Sequence, residues 1–113
     1  MNKNTAITIF ESLSSPVRLD VYCLLIKQGI EGMVAGEVAT TLEVPSTNLS
    51  FHLKALTHAG LINVEQEGRF LRYRANLPVI LELIAYLTDE CCGGKPQVCG
   101  DFSAAAICPQ HSD

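Results

Sequence analysis

The residues with the most distinctive chemistry gather near the C-terminus. The 113-residue chain has five cysteines, Cys23, Cys91, Cys92, Cys99 and Cys108. An odd number cannot pair completely within one chain. A disulfide between the adjacent Cys91 and Cys92 would be strained, and a reducing cytosol disfavours it. Gly93-Gly94 follow as a turn that lets Cys99 fold back over the pair. Three converging thiolates suit a soft, thiophilic ion. Trivalent arsenic and antimony take three sulfurs in a pyramid, because a lone pair occupies the fourth position. Zinc, cadmium or lead accepts a fourth ligand, and Cys108 is available for that role. A tail oxidised or persulfidated as a redox switch is a further alternative.

The other candidates are weaker. Cys23 falls inside a helical pattern and is expected to pack as a small buried hydrophobe. His52, His58 and His111 lack ligand spacing, and His52 is expected to hydrogen-bond locally. No Ser/His/Asp order, phosphate-binding loop or paired-carboxylate pattern stands out, so no enzyme is expected.

Five helices and a hairpin are predicted to position these groups. Asn4 to Ser14 repeats apolar residues at helical spacing. Ser15-Pro16 starts a second helix with Val17, Val21, Leu24 and Leu25 as its buried stripe, and Gly29 ends it. Met33 to Leu42 reads as a third helix. After Glu43-Val44-Pro45, Ser46 is expected to cap a fourth helix that ends at Gly60. Leu61 to Gln66 and Phe70 to Ala75 read as strands around a turn at Glu67-Gly68-Arg69. Asn76 caps a fifth helix, with Pro78 in its first turn, running to about Glu90. The order helix, helix, helix-turn-helix, hairpin, helix predicts an α+β, mainly helical winged helix-turn-helix. Residues 1–92 would form this domain, and 93–113, rich in Gly and Pro breaks, an irregular flexible tail.

The fourth helix has two faces. Leu49, Leu53 and Leu56 fall on a core stripe at about 100° per residue. Thr47, Ser50, Phe51, Lys54 and His58 gather opposite. Hydroxyls, a cation, an imidazole and an aromatic ring can meet phosphates, base edges and thymine methyls. A helix after a tight turn, preceded by a shorter helix, is the geometry that enters a major groove. In the hairpin, alternation puts Leu71 and Tyr73 inward and Phe70, Arg72 and Arg74 outward, with Arg69 at the turn.

Charge first argues against such a surface and then for it. Lys plus Arg is 8 and Asp plus Glu is 12, a net −4 that disfavours nucleic acid. Yet three of the four arginines fall between Arg69 and Arg74. Residues 45–75 carry a net +2 and the other 82 residues −6. A locally basic surface therefore survives an acidic total. With 48% hydrophobic and 18% charged residues, the chain can build a core. No run of about 18 apolar residues occurs, so no membrane span is expected. Met1 to Thr5 opens no secretory signal pattern, so a cytoplasmic location is expected. From Leu77 to Leu87 the sole charge is Glu82, and a helix apolar on nearly all sides needs burial on all sides. A partner subunit is the simplest cover, and a two-fold dimer would match an inverted repeat.

Three segments carry a family resemblance. Leu13-Ser-Ser-Pro-Val-Arg-Leu19, the run from Pro45 to Ile62 (PSTNLSFHLKALTHAGLI), and Glu67-Gly-Arg-Phe-Leu-Arg-Tyr-Arg74 stand in the order and spacing of the ArsR/SmtB family. The resemblance spans roughly residues 5 to 92. It implies a homodimeric winged-helix repressor joined through its first and last helices, which an inducer releases from operator DNA. Ser46, Thr47, Asn48, Ser50, Phe51, Lys54, His58, Arg69, Arg72 and Arg74 are the DNA-binding candidates; many members carry Arg where this chain has Phe51. The family's best-known arsenic sensors have a cysteine motif in the third helix, where this chain has Met33-Val34-Ala35-Gly36. Its zinc sensors use histidines and carboxylates on the last helix, and Leu77 to Leu87 has no histidine. Leu87-Thr-Asp-Glu-Cys-Cys-Gly-Gly94 instead resembles the branch that binds arsenite at vicinal cysteines just past the last helix. That resemblance implies As(III), with Sb(III) as a further inducer, on Cys91, Cys92 and Cys99, with Cys108 as replacement or fourth ligand.

Overall fold

Side-chain oxygens start the first two helices. In the computed structural model, which describes residues 1–89, Asn2 accepts from the Thr5 amide at 2.8 Å and opens helix α1, Lys3–Leu13. Ser15 accepts from the Arg18 amide and Pro16 takes the first position of α2, Pro16–Gln28. Gly29, at φ +63°, ends α2 and begins a 3₁₀ turn, Gly29–Glu31. Strand β1, Met33–Val34, follows, then α3, Ala35–Leu42, and α4, Ser46–His58. Strands β2, Ile62–Glu67, and β3, Phe70–Ala75, form the hairpin, and α5 is Leu77–Leu87. The sheet is antiparallel in the order β1-β3-β2, with Met33 opposite Tyr73, Ile62 opposite Ala75 and Glu67 opposite Phe70.

The core lies within Met1–Leu83. Ile9 of α1, Val21 and Leu25 of α2, Val38 of α3, Leu49 and Leu56 of α4, and Leu61 and Ile62 are fully buried in one cluster. Tyr73 from β3 and Leu83 from α5 join it. The stripes foreseen on α2 and α4 are thus the ones that pack. The buried Ser12 hydroxyl donates to the Ala55 carbonyl and ties α1 to α4.

Several expectations are corrected. Met33-Val34 is strand, not helix. Val34 has an extended backbone, and its pairing with Arg72 takes it into the sheet before the helix can start. Ser46 does not cap α4: Pro45 holds the N-cap position, and Ser46 is already helical. Cys23 is exposed. Val21, Tyr22 and Leu25 form the buried face of α2, and residue 23 sits about 200° from residue 21. Leu71 is exposed rather than inward, because the hairpin extends past the core and has an inner side only near its base, at Tyr73. The fifth helix ends at Leu87, with Thr88 and Asp89 in a turn. Its apolar sides are not all covered: Leu77, Leu81, Tyr86 and Leu87 are exposed.

Gly32 fixes where the hairpin meets the helical body. It is buried at φ +62°, and a Cβ there would run into the Tyr73 carbonyl oxygen and lie 2.6 Å from Arg74 Cγ. Gly32→Ala therefore combines left-handed strain with a backbone clash. It is expected to destabilise the fold by about 2 kcal/mol or more, read as a lower urea midpoint with an unchanged slope.

Candidate nucleic-acid interface

Burial of Leu49, Leu53 and Leu56 fixes the rotation of α4 about its axis. The residues between them must then face away from the core. Thr47, Ser50, Phe51, Lys54 and His58 are all exposed, as the helical spacing predicts. Phe51 keeps 75% of its surface in solvent. Not one Asp or Glu lies between Ser46 and His58. Ser46, Thr47 and Asn48 are exposed in the first turn, and the first intrahelical bond runs from the Leu49 amide to the Pro45 carbonyl at 2.9 Å. Pro45 brings no side-chain acceptor, so the first-turn N–H groups point outward at the positive end of the helix. That end can receive a phosphate oxygen.

Neighbouring elements hold α4 at several points. Arg18 of α2 donates from Nε to His52 Nδ1 at 3.2 Å, the local hydrogen bond expected of that histidine. Within α4 itself, the Thr57 hydroxyl donates back to the Leu53 carbonyl at 2.8 Å. Beyond the C-terminus of α4, Asn76 donates its side-chain amide to the Gly60 carbonyl at 2.9 Å and its backbone N–H to Leu61 at 2.8 Å. The end of β3, the start of α5 and the end of α4 are thereby joined at one residue.

The hairpin arginines differ among themselves. Arg72 Nε donates to Glu67 at 2.9 Å, and Arg74 donates to Glu65 at 2.7 Å. Each also bonds the 3₁₀ turn: Arg72 to the Glu31 carbonyl at 2.9 Å, Arg74 to that of Ile30 at 2.7 Å. The hydrogen bond with Glu67 raises the Arg72 pKa above its ordinary value. Burial raises that of Tyr73. Arg72 and Arg74 are therefore half-buried braces between the hairpin and the body, while Arg69 stands exposed at the tip. Among the described residues Arg69 and Lys54 are in neither ion pair. The net +2 foreseen from sequence is delivered by these two, since Arg72 and Arg74 offset Glu67 and Glu65.

Sequence reasoning missed this pairing, although its signal was present. Glu65 and Glu67 lie two apart on one strand and Arg72 and Arg74 two apart on the next, hence on one face of an antiparallel ladder. The carbonyl contacts to the 3₁₀ turn had no such signal. Cys91, Cys92, Cys99 and Cys108 lie outside the described residues. Among the described ones, no group of three His, Cys, Asp or Glu is placed to hold a metal ion, and no helix is long and apolar enough to cross a membrane.

Comparison with known proteins agrees with this geometry. A family model described as a helix-turn-helix domain matches residues 13–65. The chain is 30% identical over 81 residues to the transcriptional repressor SdpR of Bacillus subtilis, covering 72% of this chain and 87% of that protein. It is 27% identical over 89 residues to the transcriptional activator HlyU of Vibrio cholerae, covering 77% and 80%. An ArsR-like transcriptional regulator from Rhodococcus superposes with a TM-score of 0.68 at 26% identity, over 96% of this chain and 93% of that one. Reduced HlyU from Vibrio cholerae gives 0.61 at 25% identity, over 78% and 93%. A homodimeric winged helix-turn-helix DNA-binding domain from Mycobacterium bovis, solved in solution, gives 0.61 at 26% identity, over 77% and 81%. Helix order, the braced hairpin and these likenesses converge on one assignment: the chain belongs to the ArsR-type family of winged helix-turn-helix, DNA-binding transcriptional regulators.

Proposed function

We propose that the protein is a cytoplasmic, homodimeric repressor that binds an inverted-repeat operator in double-stranded DNA and releases it when As(III) is captured by its C-terminal thiolates. The observation that carries the DNA half is the outward face of α4, exposed and free of acidic residues. Lys54, Arg69 and the first turn of α4, with Ser46, Thr47 and Asn48, hold phosphates. Ser50, Phe51 and His58 face base edges. Arg72 and Arg74 hold the wing at its angle rather than leading the contact.

The dimer reading is supported by apolar surface that a single chain leaves open. Ile7 and Phe10 of α1 and Leu77 and Leu81 of α5 are each more than 40% exposed. The Mycobacterium bovis domain of the same fold is homodimeric. Pairing through these helices would place two copies of α4 about one DNA turn apart.

The inducer reading rests on the thiols. Cys91 and Cys92 come four and five residues after the last residue of α5, and Cys99 comes five residues after Gly93-Gly94 in the sequence. Three thiolates suit As(III) and Sb(III), and Cys108 serves as replacement or fourth ligand. Ligands at the end of a dimer helix act on subunit geometry. At its other end, α5 is tied through Asn76 to the end of α4. A coupling of about 1 to 3 kcal/mol is typical of such allostery.

A second reading keeps the DNA site and changes the signal to a thiol oxidant or a soft divalent metal such as cadmium, lead or zinc. The exposure of Cys23 favours the oxidant, since that thiol is open to chemistry. HlyU, to which the chain is similar, has a structure described as reduced. A thiol-rich module that never touches DNA is a third class, and the family assignment disfavours it.

The deciding experiment is fluorescence anisotropy of operator DNA with arsenite, antimonite, cadmium, zinc and peroxide added separately. Arsenite is expected to release the DNA, and Cys91→Ser with Cys92→Ser is expected to abolish release while leaving DNA binding intact. Release by peroxide alone would favour the oxidant reading. Unchanged release by arsenite in the double variant would remove the proposed ligand set. In the same assay Lys54→Ala and Arg69→Ala should each lower the slope of log K against log salt by about two, since the dimer loses one cation from each subunit. Arg72→Ala should act mainly by loosening the wing, visible as lower thermal stability of the free protein.

A further inference from the structure

Phe51 is unexplained by folding. It is among the most exposed large apolar side chains, 75% in solvent, and it lies at the middle of the outward stripe of α4. Helical spacing puts Thr47 one turn before it and Lys54 and His58 one and two turns after it, with Ser50 alongside. Every one of these neighbours is polar or cationic. An apolar protein-docking patch would be contiguous, as it is on α1, where Ile7 and Phe10 lie one turn apart. A single ring set among hydroxyls, a lysine and a histidine, on a helix with no carboxylate, is instead the composition of a surface that meets a duplex.

The ring can recognise little there by polarity. A phenyl group neither donates nor accepts a conventional hydrogen bond, so it cannot read the amino, carbonyl or ring-nitrogen groups of a base edge. The major groove offers one apolar feature, the 5-methyl group of thymine, and phenylalanine is among the side chains that pack on it. Cytosine lacks that group, and guanine and adenine present polar atoms in its place. A ring left uncovered by the protein gains most by covering that methyl. We propose that Phe51 is a specificity-determining residue that reads the 5-methyl group of a thymine in the major groove. The proposal rests on the DNA-binding reading above and assigns one base preference within it.

The test begins with the full-length chain and a random duplex library, from which bound DNA is selected and sequenced. Thymines in the selected duplex are then replaced singly by deoxyuridine, which removes the methyl and leaves every hydrogen-bonding group in place. At one thymine of each half-site, the wild-type chain is expected to bind about fourfold more weakly after replacement, the worth of one buried methyl-sized group. Phe51→Ala is expected to bind both duplexes alike, and circular dichroism confirms that it is folded. The comparison of both proteins on both duplexes separates contact with the methyl from its effects on DNA stiffness.

Indifference of the wild-type chain to every replacement overturns the assignment of Phe51 and leaves DNA binding standing. So does equal discrimination by Phe51→Ala. A change in sedimentation of free Phe51→Ala would overturn it in favour of a protein contact at the ring. Failure to select any DNA overturns both this inference and the reading on which it rests.

Discussion

The burial of three leucines determines what the rest of the molecule can do. Leu49, Leu53 and Leu56 seat α4 against Val21 and Leu25 of α2 and Val38 of α3. Each fully buried leucine contributes about 1.5 to 3 kcal/mol over exposure, so α4 cannot roll about its axis without giving up several such terms. Its outer face is therefore set by its inner one. Thr47, Ser50, Phe51, Lys54 and His58 reach solvent because they share a helix with those leucines, not because anything outside attracts them. The bonds from Arg18 to His52 and from Asn76 to Gly60 secure α4 from its side and beyond its end.

The wing solves a different problem. A two-stranded ribbon is marginal alone, and beyond Tyr73 this one has no core beneath it. It is held from the edge instead. The third strand, Met33–Val34, pairs with β3. Gly32 lets the backbone pass against Tyr73, and Arg72 and Arg74 reach across to the 3₁₀ turn. Exposed ion pairs contribute little by themselves, about 0 to 1 kcal/mol each. Bonds of the same guanidinium groups to fixed carbonyls add orientation that a free pair lacks. Two arginines are thereby committed to aiming the third, Arg69.

Sequence patterning revealed most of this architecture, and what it misses divides between long-range pairing and local signals. Ser15-Pro16, the leucine stripe of α4 and the hairpin are local signals, and the structure bears them out. Met33-Val34 has an apolar period that continues into α3 and so predicts helix. Its pairing partner lies about forty residues away in β3, and no local pattern reports that. The contacts of Arg72 and Arg74 with Glu31 and Ile30 are equally long-range. Cys23 and the Glu–Arg ladder are different, since the helical period and the strand period place them without further information. For Cys23, the general tendency of free cysteine to be buried yields to the angular position of residue 23 on α2. Among site residues, the outer face of α4 was fully legible, and the difference between Arg69 and its two neighbours was not.

That difference limits how this surface holds DNA. Each phosphate neutralised by a cation adds about 0.9 to the salt slope, and this electrostatic part of the affinity carries no sequence preference. With Arg72 and Arg74 spent on carboxylates, Lys54 and Arg69 are the cations that the described reading surface offers per chain. The remainder of the molecule carries −6 and repels phosphate at longer range. If Lys54 and Arg69 are the phosphate contacts, as proposed, non-specific affinity is weak. On the proposed reading, selective binding then draws on the groups that face base edges, Ser50, Phe51 and His58, while the first-turn N–H groups of α4 fix its register on the phosphates. In the proposed dimer, such a surface would lose its hold once two copies of α4 left groove spacing, because too little general attraction would remain to keep the complex together.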